Sequence, residues 1–490
     1  DAVWLSPHYP SPLVDCGYDI SDYCAVAPEY GTLEDFRALL ADMHARGMRL
    51  VLDLVLNHTS DQHAWFQESR ASKTNPKRDW FIWKPGKNNG PPNDWFSTFG
   101  GSAWELDPAT GEYYYHFFFK EQPDLNWRNP QVKQAMFEMV RFWLDLGVDG
   151  FRLDAIGTVY EDPAWPDHQL DFGLDDLFLD NRKAVSAVER QRVAQRWDEL
   201  FSGQHDLPEI HDLMRELRAL VDGYPGRVLI GETDDIAFYG NGQDELHLVF
   251  NFPLMRTDRI TAAHVLANQQ TRLADLPAGA WPCNTLGNHD SARMLNQFGD
   301  GSHDREIARL NLFLLLCLQG TPVLYNGEEI GMRDFLINNP ADFRDPLSLR
   351  NMQLEMALLG TEPAQAVLVG ALNGRDKCRT PMQWANQPNA GFCPPNVRPW
   401  LPVNPDFSVG VNAADQAADP ASLLADYRRL LAFRRFQPVL QSGVAGEFGS
   451  QDSIFWLVRS LGGENLTAAA NLSADPARLA VGGEILFSTH

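Results

Sequence analysis

The chain has 490 residues, 44% of them hydrophobic, and 65 acidic against 41 basic side chains give it a formal net charge of −24. That surplus disfavours nucleic acid and anionic membrane surfaces as partners and leaves a neutral small molecule open as substrate. The length exceeds one ordinary domain and suits a barrel enzyme with a small appended domain.

Taken in order, short β-rich runs alternate with helical stretches. AVWLSP (2–7) reads as a strand, DFRALLADMHARG (35–47) as a helix, and RLVLDLVLNH (49–58) as a strand again. Residues 59–130 break the rhythm: they are rich in Trp, Phe, Asn, Pro and Gly, with no long helix, and are expected to form an inserted lobe. QVKQAMFEMVRFWLDLG (131–147) is helical, VDGFRLDAI a strand, and helices fill much of 175–222. RVLIGET (227–233), LHLVFNFPL (246–254), CNTLGNHD (283–290) and TPVLYNGEE (321–329) are four further strands. Such alternation predicts a parallel sheet covered on both faces. Polar residues at the C-terminal end of nearly every strand predict a closed β/α barrel with its site on that face. An open doubly wound sheet would carry a Gly-rich phosphate turn after the first strand, and none is present.

The predicted division is barrel over 1–58, inserted lobe over 59–130, barrel again over 131–429 with a second lobe near 332–400, and an antiparallel β domain over 430–490. In that last part EFGSQDSIFWLVRS and NLTAAANLS read as short strands. The run LNLFLLLCL (310–318) is far below the ~20 residues that span a bilayer, so it is expected to be a buried helix. No signal peptide is recognisable. Cys16, Cys24, Cys283, Cys317, Cys378 and Cys393 are scattered with no C-x-x-C pair, so neither a zinc site nor a disulfide framework is expected. Reduced thiols in a cytoplasmic protein are the expectation.

In GFRLDAIG (150–157), Arg152 and Asp154 are two residues apart in a strand and share a face, pointing into the barrel. The guanidinium favours the ionised carboxylate, as a nucleophile requires, or the two form a buried structural ion pair. LIGET places Glu232, and TLGNHD places His289 and Asp290, at two other strand ends. Three carboxylates at one rim suit glycoside cleavage, which needs an ionised carboxylate and a protonated carboxyl flanking the bond.

DLVLNH (53–58), GFRLDAIG (150–157), IGET (230–233) and GNHD (287–290) resemble, in order, the four signature regions of the alpha-amylase family of retaining glycoside hydrolases. QPDLNW (122–127), GYDISDY (17–23) and RDKCRTPMQW (375–384) resemble its oligo-1,6-glucosidase and α-glucosidase branch. The resemblance implies a (β/α)8 TIM barrel with a lobe inserted after the third strand. It implies Asp154 as nucleophile, Glu232 as acid and then base, and Asp290 as third carboxylate. Arg152 would keep Asp154 ionised, His58 and His289 would bond the hydroxyls of the transferred glucose, and Tyr18 would stack on its ring. Asp19 and Arg379 would grip the non-reducing end, making the enzyme exo-acting. Family members begin with a further strand and helix, often with a loop that can hold calcium. The first barrel strand is therefore expected to precede Asp1, and any structural calcium or magnesium ion to belong to that segment. No cofactor is expected.

Ala155 follows the proposed nucleophile, at a position that is Val in the α-1,6-selective members of the branch and Ala or Thr in the α-1,4-selective ones. A smaller side chain leaves room beside the leaving sugar, and one or two methyl groups shift preference by ~1–3 kcal/mol. Maltose-like disaccharides, or sucrose, are therefore the expected substrates, with sugars or alcohols as acceptors in transglucosylation. Alternatives on the same scaffold are an oligo-1,6-glucosidase, a sucrose isomerase or glucosyltransferase and, more remotely, a non-catalytic partner protein. NDWFSTFGGSAWELD (93–107) walls the pocket or forms lobe core.

Overall fold

The computed structural model describes residues 1–489. They fall into two compact units, Asp1–Val249 and the part from Phe250 onward.

The first unit is built on five parallel strands in the order Ala2–Leu5, Arg49–Val55, Gly150–Asp154, Val228–Gly231 and Leu248–Val249. The register sets Asp53 beside Arg152 and Val55 beside Asp154. The helix Leu33–Ala45 starts at a capping box of Thr32 and Asp35 and turns Phe36, Leu40 and Met43 inward. The helix Pro130–Leu146 is capped by Asn129, begins with proline and stops at Gly147 in the left-handed conformation. Its apolar face buries Val132, Met136, Val140 and Trp143. Gly150 opens the central strand because nothing larger fits: a Cβ there would lie 2.2 Å from the Val228 carbonyl oxygen.

Within 59–130 the structure has a helix, Ala64–Ala71, and a three-stranded antiparallel sheet with Glu112–Tyr115 between Trp83–Pro85 and Trp104–Asp107. Trp95 and Trp104 are buried with Tyr115, Phe117, Leu177, Leu200 and Phe201. Those two tryptophans of 93–107 therefore form lobe core. The helical stretch at 175–222 is three helices, Leu174–Lys183, Ala187–Phe201 and Glu209–Asp222.

The second unit carries the parallel pair Cys283–Thr285 and Thr321–Val323. The apolar run near 310 lies in the helix Asp304–Cys317, whose Leu312, Leu314, Leu315 and Leu316 are buried. Two helices, Pro346–Leu359 and Pro363–Asn373, pair in the region expected as a second lobe. The C-terminal sheet is antiparallel, in the order Val444–Gln451, Ile454–Leu461, Glu464–Asn471. EFGSQDSIFWLVRS is thus two strands of a hairpin, turned where Asp452 takes a φ of 52°. Leu457, Phe455 and Ala468 join the core formed by the helices Asp304–Cys317 and Leu423–Arg435.

The strands are shorter than expected. The runs at 227–233, 246–254, 283–290 and 321–329 keep only 228–231, 248–249, 283–285 and 321–323 as strand. Ladder pairing ends and the chain turns, so Glu232, His289 and Asp290 sit on the connections beyond. All six cysteines are free thiols. Among the described residues no helix is long and apolar enough to cross a membrane.

Candidate active site

In the first unit Asp154 and Glu232 come together around one cation, Arg152. Arg152, 2% exposed, lies on the fully buried strand Gly150–Asp154. Its Nη1 donates to Asp154 Oδ1 at 2.5 Å and to both oxygens of Asp53, at 2.9 and 3.2 Å. Its Nη2 lies 2.7 Å from Glu232 Oε2. The strand's two-residue period places Asp154 beside it; the neighbouring strand Arg49–Val55 supplies Asp53, and the connection after Val228–Gly231 supplies Glu232. The guanidinium also faces the rings of Trp4 and Tyr18, at 4.7 and 5.9 Å from their centroids.

Asp53 is the buried anchor of this group, and the sequence reading gave it no role. Besides Arg152 it accepts from Trp4 Nε1 and the Tyr18 hydroxyl, both at 3.1 Å. Burial pushes its carboxyl up to about 6; Arg152 opposes the rise and the negative charge of Glu232 adds to it. Three carboxylates around one guanidinium leave a surplus of negative charge, which favours a proton somewhere in the group. The signal was in the motif itself: in DLVLNH the acid falls on a strand that is otherwise apolar and buried.

Ala155 leaves the strand in the left-handed conformation, φ 41° and ψ 46°. Its amide thereby points at Glu232 Oε2, 2.9 Å away. A non-glycine residue held this way costs roughly 1–2 kcal/mol, and such strain gathers at functional sites.

His58 is 1% exposed, with Nε2 3.2 Å from the Tyr18 carbonyl and 2.8 Å from Gln122 Nε2. Burial lowers its pKa to about 4, so the imidazole is neutral near pH 7. Gln122 Oε1 accepts from the Phe119 amide, and Nε2 also donates to Asp15 Oδ2 at 3.2 Å. Gln122 and Asp15 were not singled out in the sequence, although both lie in or beside the motifs QPDLNW and GYDISDY.

Asp19 departs from expectation. It is fully buried, and it accepts from Ser11 Oγ, from the Asp15 amide and from the Val14 amide at 2.9–3.0 Å. Its two oxygens are spent on closing the turn 11–15. The structure thus places Asp19 within that turn, with both of its oxygens bonded inside the loop. Asp15, four residues earlier, is the carboxylate of this loop joined to His58 through Gln122.

In the second unit Arg379, His289 and Asp290 come together. Arg379 Nε donates to the His289 carbonyl at 2.8 Å, and its Nη2 pairs with Asp290 Oδ1. Asp290 also lies 3.3 Å from His289 Nε2 and accepts the longer approach of Arg375 Nη1 at 3.6 Å. Arg375 is itself pinned to the buried Asp345 through its amide, Nε and Nη2. Burial alone would raise the Asp345 carboxyl, but its pairing with Arg375 outweighs that and holds it below the usual range. Asp376 receives the Arg344 and Asp345 amides and fixes the same loop. Arg375 stood in the quoted motif without a role; only packing shows that it backs Asp290.

The model of the alpha-amylase catalytic domain matches residues 1–443. The chain belongs to the alpha-amylase family. It is a glycoside hydrolase of the α-glucosidase type with that family's TIM-barrel fold and a C-terminal antiparallel sheet. An oligo-1,6-glucosidase of Parageobacillus thermoglucosidasius is 37% identical over 507 residues, covering 100% of this chain and 86% of the relative. A probable alpha-glucosidase of Rhizobium meliloti (strain 1021) is 36% identical over 97% of this chain and 83% of its own length. Among solved structures, the trehalulose synthase MutB of Pseudomonas mesoacidophila MX-45 superposes with a TM-score of 0.83 at 34% identity, over 99% of this chain and 89% of that one. The alpha-glucosyl transfer enzyme XgtA gives 0.82 at 36% identity, over 99% and 85%.

Proposed function

We propose that the chain is a retaining, exo-acting α-glucosidase. It removes terminal α-1,4-linked glucose from maltose-like disaccharides, sucrose included, and passes part of the glucosyl groups to sugar or alcohol acceptors. The observation that carries this reading is the single guanidinium shared by Asp154 and Glu232.

Asp154 attacks the anomeric carbon while Arg152 favours its carboxylate form. Glu232 gives its proton to the departing glycosidic oxygen, so the C–O bond breaks as the Asp154–glucosyl ester forms. Glu232 then takes a proton from water or an acceptor hydroxyl, which displaces Asp154 and restores both groups. Asp290, fixed by Arg379 and backed by Arg375, is the third carboxylate, offsetting charge on the oxocarbenium-like centre. His289 and the neutral His58 bond hydroxyls of the transferred glucose, with Tyr18 against its ring. Asp15 takes the sugar-gripping role first expected of Asp19. This chemistry needs no cofactor. The free thiols support a cytoplasmic, reducing setting.

A product profile on maltose, isomaltose and sucrose, with and without an alcohol acceptor, tests the proposal. Glucose released with retention, maltose preferred to isomaltose, and loss of turnover in Asp154→Asn are expected. An isomaltose preference would remove the Ala155 argument. Isomaltulose or trehalulose from sucrose would instead favour an isomerase; a trehalulose synthase and an isomaltulose synthase are among the structural neighbours. Full activity in Asp154→Asn would overturn the mechanism.

A further inference from the structure

The mechanism above makes no use of Glu328. It stands in the short turn Glu328–Ile330, five residues past the strand Thr321–Val323, and is 5% exposed. Its Oε1 is buried with no hydrogen-bond partner. What that oxygen touches is the first residue of the GNHD stretch: a Cβ on Gly287 would lie 2.5 Å from it. A side chain on Gly287 would have to push this carboxyl aside, and the carboxyl lies against the backbone that leads to His289 and Asp290. The same stretch is held from its other sides. The Gly287 carbonyl accepts from Thr285 Oγ1 at 2.8 Å, the Asp290 amide donates to Asn288 Oδ1 at 3.0 Å, and Arg379 Nε holds the His289 carbonyl.

We propose that Glu328 is a positioning residue whose carboxyl forms the floor beneath Gly287 and so sets where His289 and Asp290 are presented. The proposal rests on the α-glucosidase reading, in which those two residues serve the sugar.

The floor works as a neutral acid. Burial pushes the Glu328 carboxyl up to about 8; the Tyr325 backbone and Arg293 oppose the rise, and Glu329 beside it adds to it. Tyr427 on the helix Leu423–Arg435 is the other titratable group facing it. Arg293 does not turn to neutralise it. Its Nη1 donates to the Asn326 carbonyl at 2.9 Å, its guanidinium lies 4.9 Å from the centroid of the Tyr325 ring, and Gly327 packs against Nη1. Below about pH 8 a protonated oxygen can therefore sit on Gly287. Above it a charge appears at a place with no donor for Oε1, and the floor must shift.

The test compares wild type, Glu328→Gln and Glu328→Ala. It uses kcat and KM on p-nitrophenyl α-glucoside from pH 5 to about 9.5 and thermal midpoints over the same range. The Gln variant keeps the shape without the titration. It is expected to match wild type within about twofold near neutral pH and to lack a loss of kcat/KM that wild type shows above about pH 8. The Ala variant loses about tenfold or more in kcat, with KM changed less, because the stretch above it is no longer held. The folded carboxyl keeps a proton that the unfolded chain releases. The wild-type midpoint should therefore fall relative to Gln as pH rises from about 4.5 to about 8, and the gap should stay constant beyond.

Two results overturn the proposal: an Ala variant equal to wild type at every pH, or a Gln variant as impaired as Ala. If Ala does not fold, Gln decides alone, and pH profiles and midpoints parallel to wild type refute it. Wild type inactive on every glucoside would sink the α-glucosidase reading instead, while the midpoints would still report on Glu328.

Discussion

Replacing Asp53 with Asn removes the buried negative charge under Arg152 and keeps the side-chain shape. The carboxyl is held at about 6, against an ordinary aspartate near 3.9, so the shift is about two units. At about 1.4 kcal/mol per unit this amounts to ~3 kcal/mol. The sign follows from proton uptake. Below about pH 4 the carboxyl is neutral in both states, and only hydrogen bonding separates Asp from Asn. Between about 4 and 6 the unfolded chain releases a proton that the folded one keeps, so wild-type stability falls as pH rises. The Asn variant carries no such loss and should gain ~3 kcal/mol on wild type between about pH 4 and 7. Reversible urea unfolding at three pH values in that window measures the gap. A gap that is constant, or that closes as pH rises, refutes the account of Asp53 as a strained buried acid. In the same variant Arg152 loses an anchor, and kcat on p-nitrophenyl α-glucoside should fall more than KM rises.

The remaining predictions concern neighbouring parts of the molecule. Asp19→Ala should lower the thermal midpoint by several degrees and leave KM almost unchanged, whereas Asp15→Ala should raise KM for maltose; the opposite pattern would restore Asp19 as a sugar ligand. Gly150→Ala forces a Cβ to 2.2 Å from the Val228 carbonyl and should cost about 3 kcal/mol or prevent soluble expression. Wild-type stability in that variant would mean the two strands can part cheaply. Arg459, fully buried in the C-terminal sheet, donates to the Cys317, Leu318 and Gly443 carbonyls. Arg459→Met leaves those carbonyls short of donors and should lower the urea midpoint by the equivalent of about 3 kcal/mol.

Much of this was legible before any coordinates. A period of two put Arg152 and Asp154 on one face, and the helices expected over 35–47 and 131–147 form as Leu33–Ala45 and Pro130–Leu146. The tryptophans at 95 and 104 were ambiguous because an aromatic run reads the same as pocket wall and as lobe core. Burial against Leu200 and Phe201, about a hundred residues away, settles it. Strand lengths were overestimated because the runs were read through to their polar ends, such as GNHD and NGEE, where ladder pairing has already stopped and the chain turns.

The sequence by itself determined the alternation of strands and helices, the motifs and the face on which Arg152 and Asp154 lie, since those follow from local periodicity. Only the tertiary structure decided that Asp53 and Glu232 meet the same guanidinium, that Asp19 is consumed by its own turn, and that Arg375 and Glu328 stand behind Asp290 and Gly287. Which donors reach a buried carboxylate depends on segments far apart in the chain coming into contact, and no pattern of neighbours along the polymer encodes that.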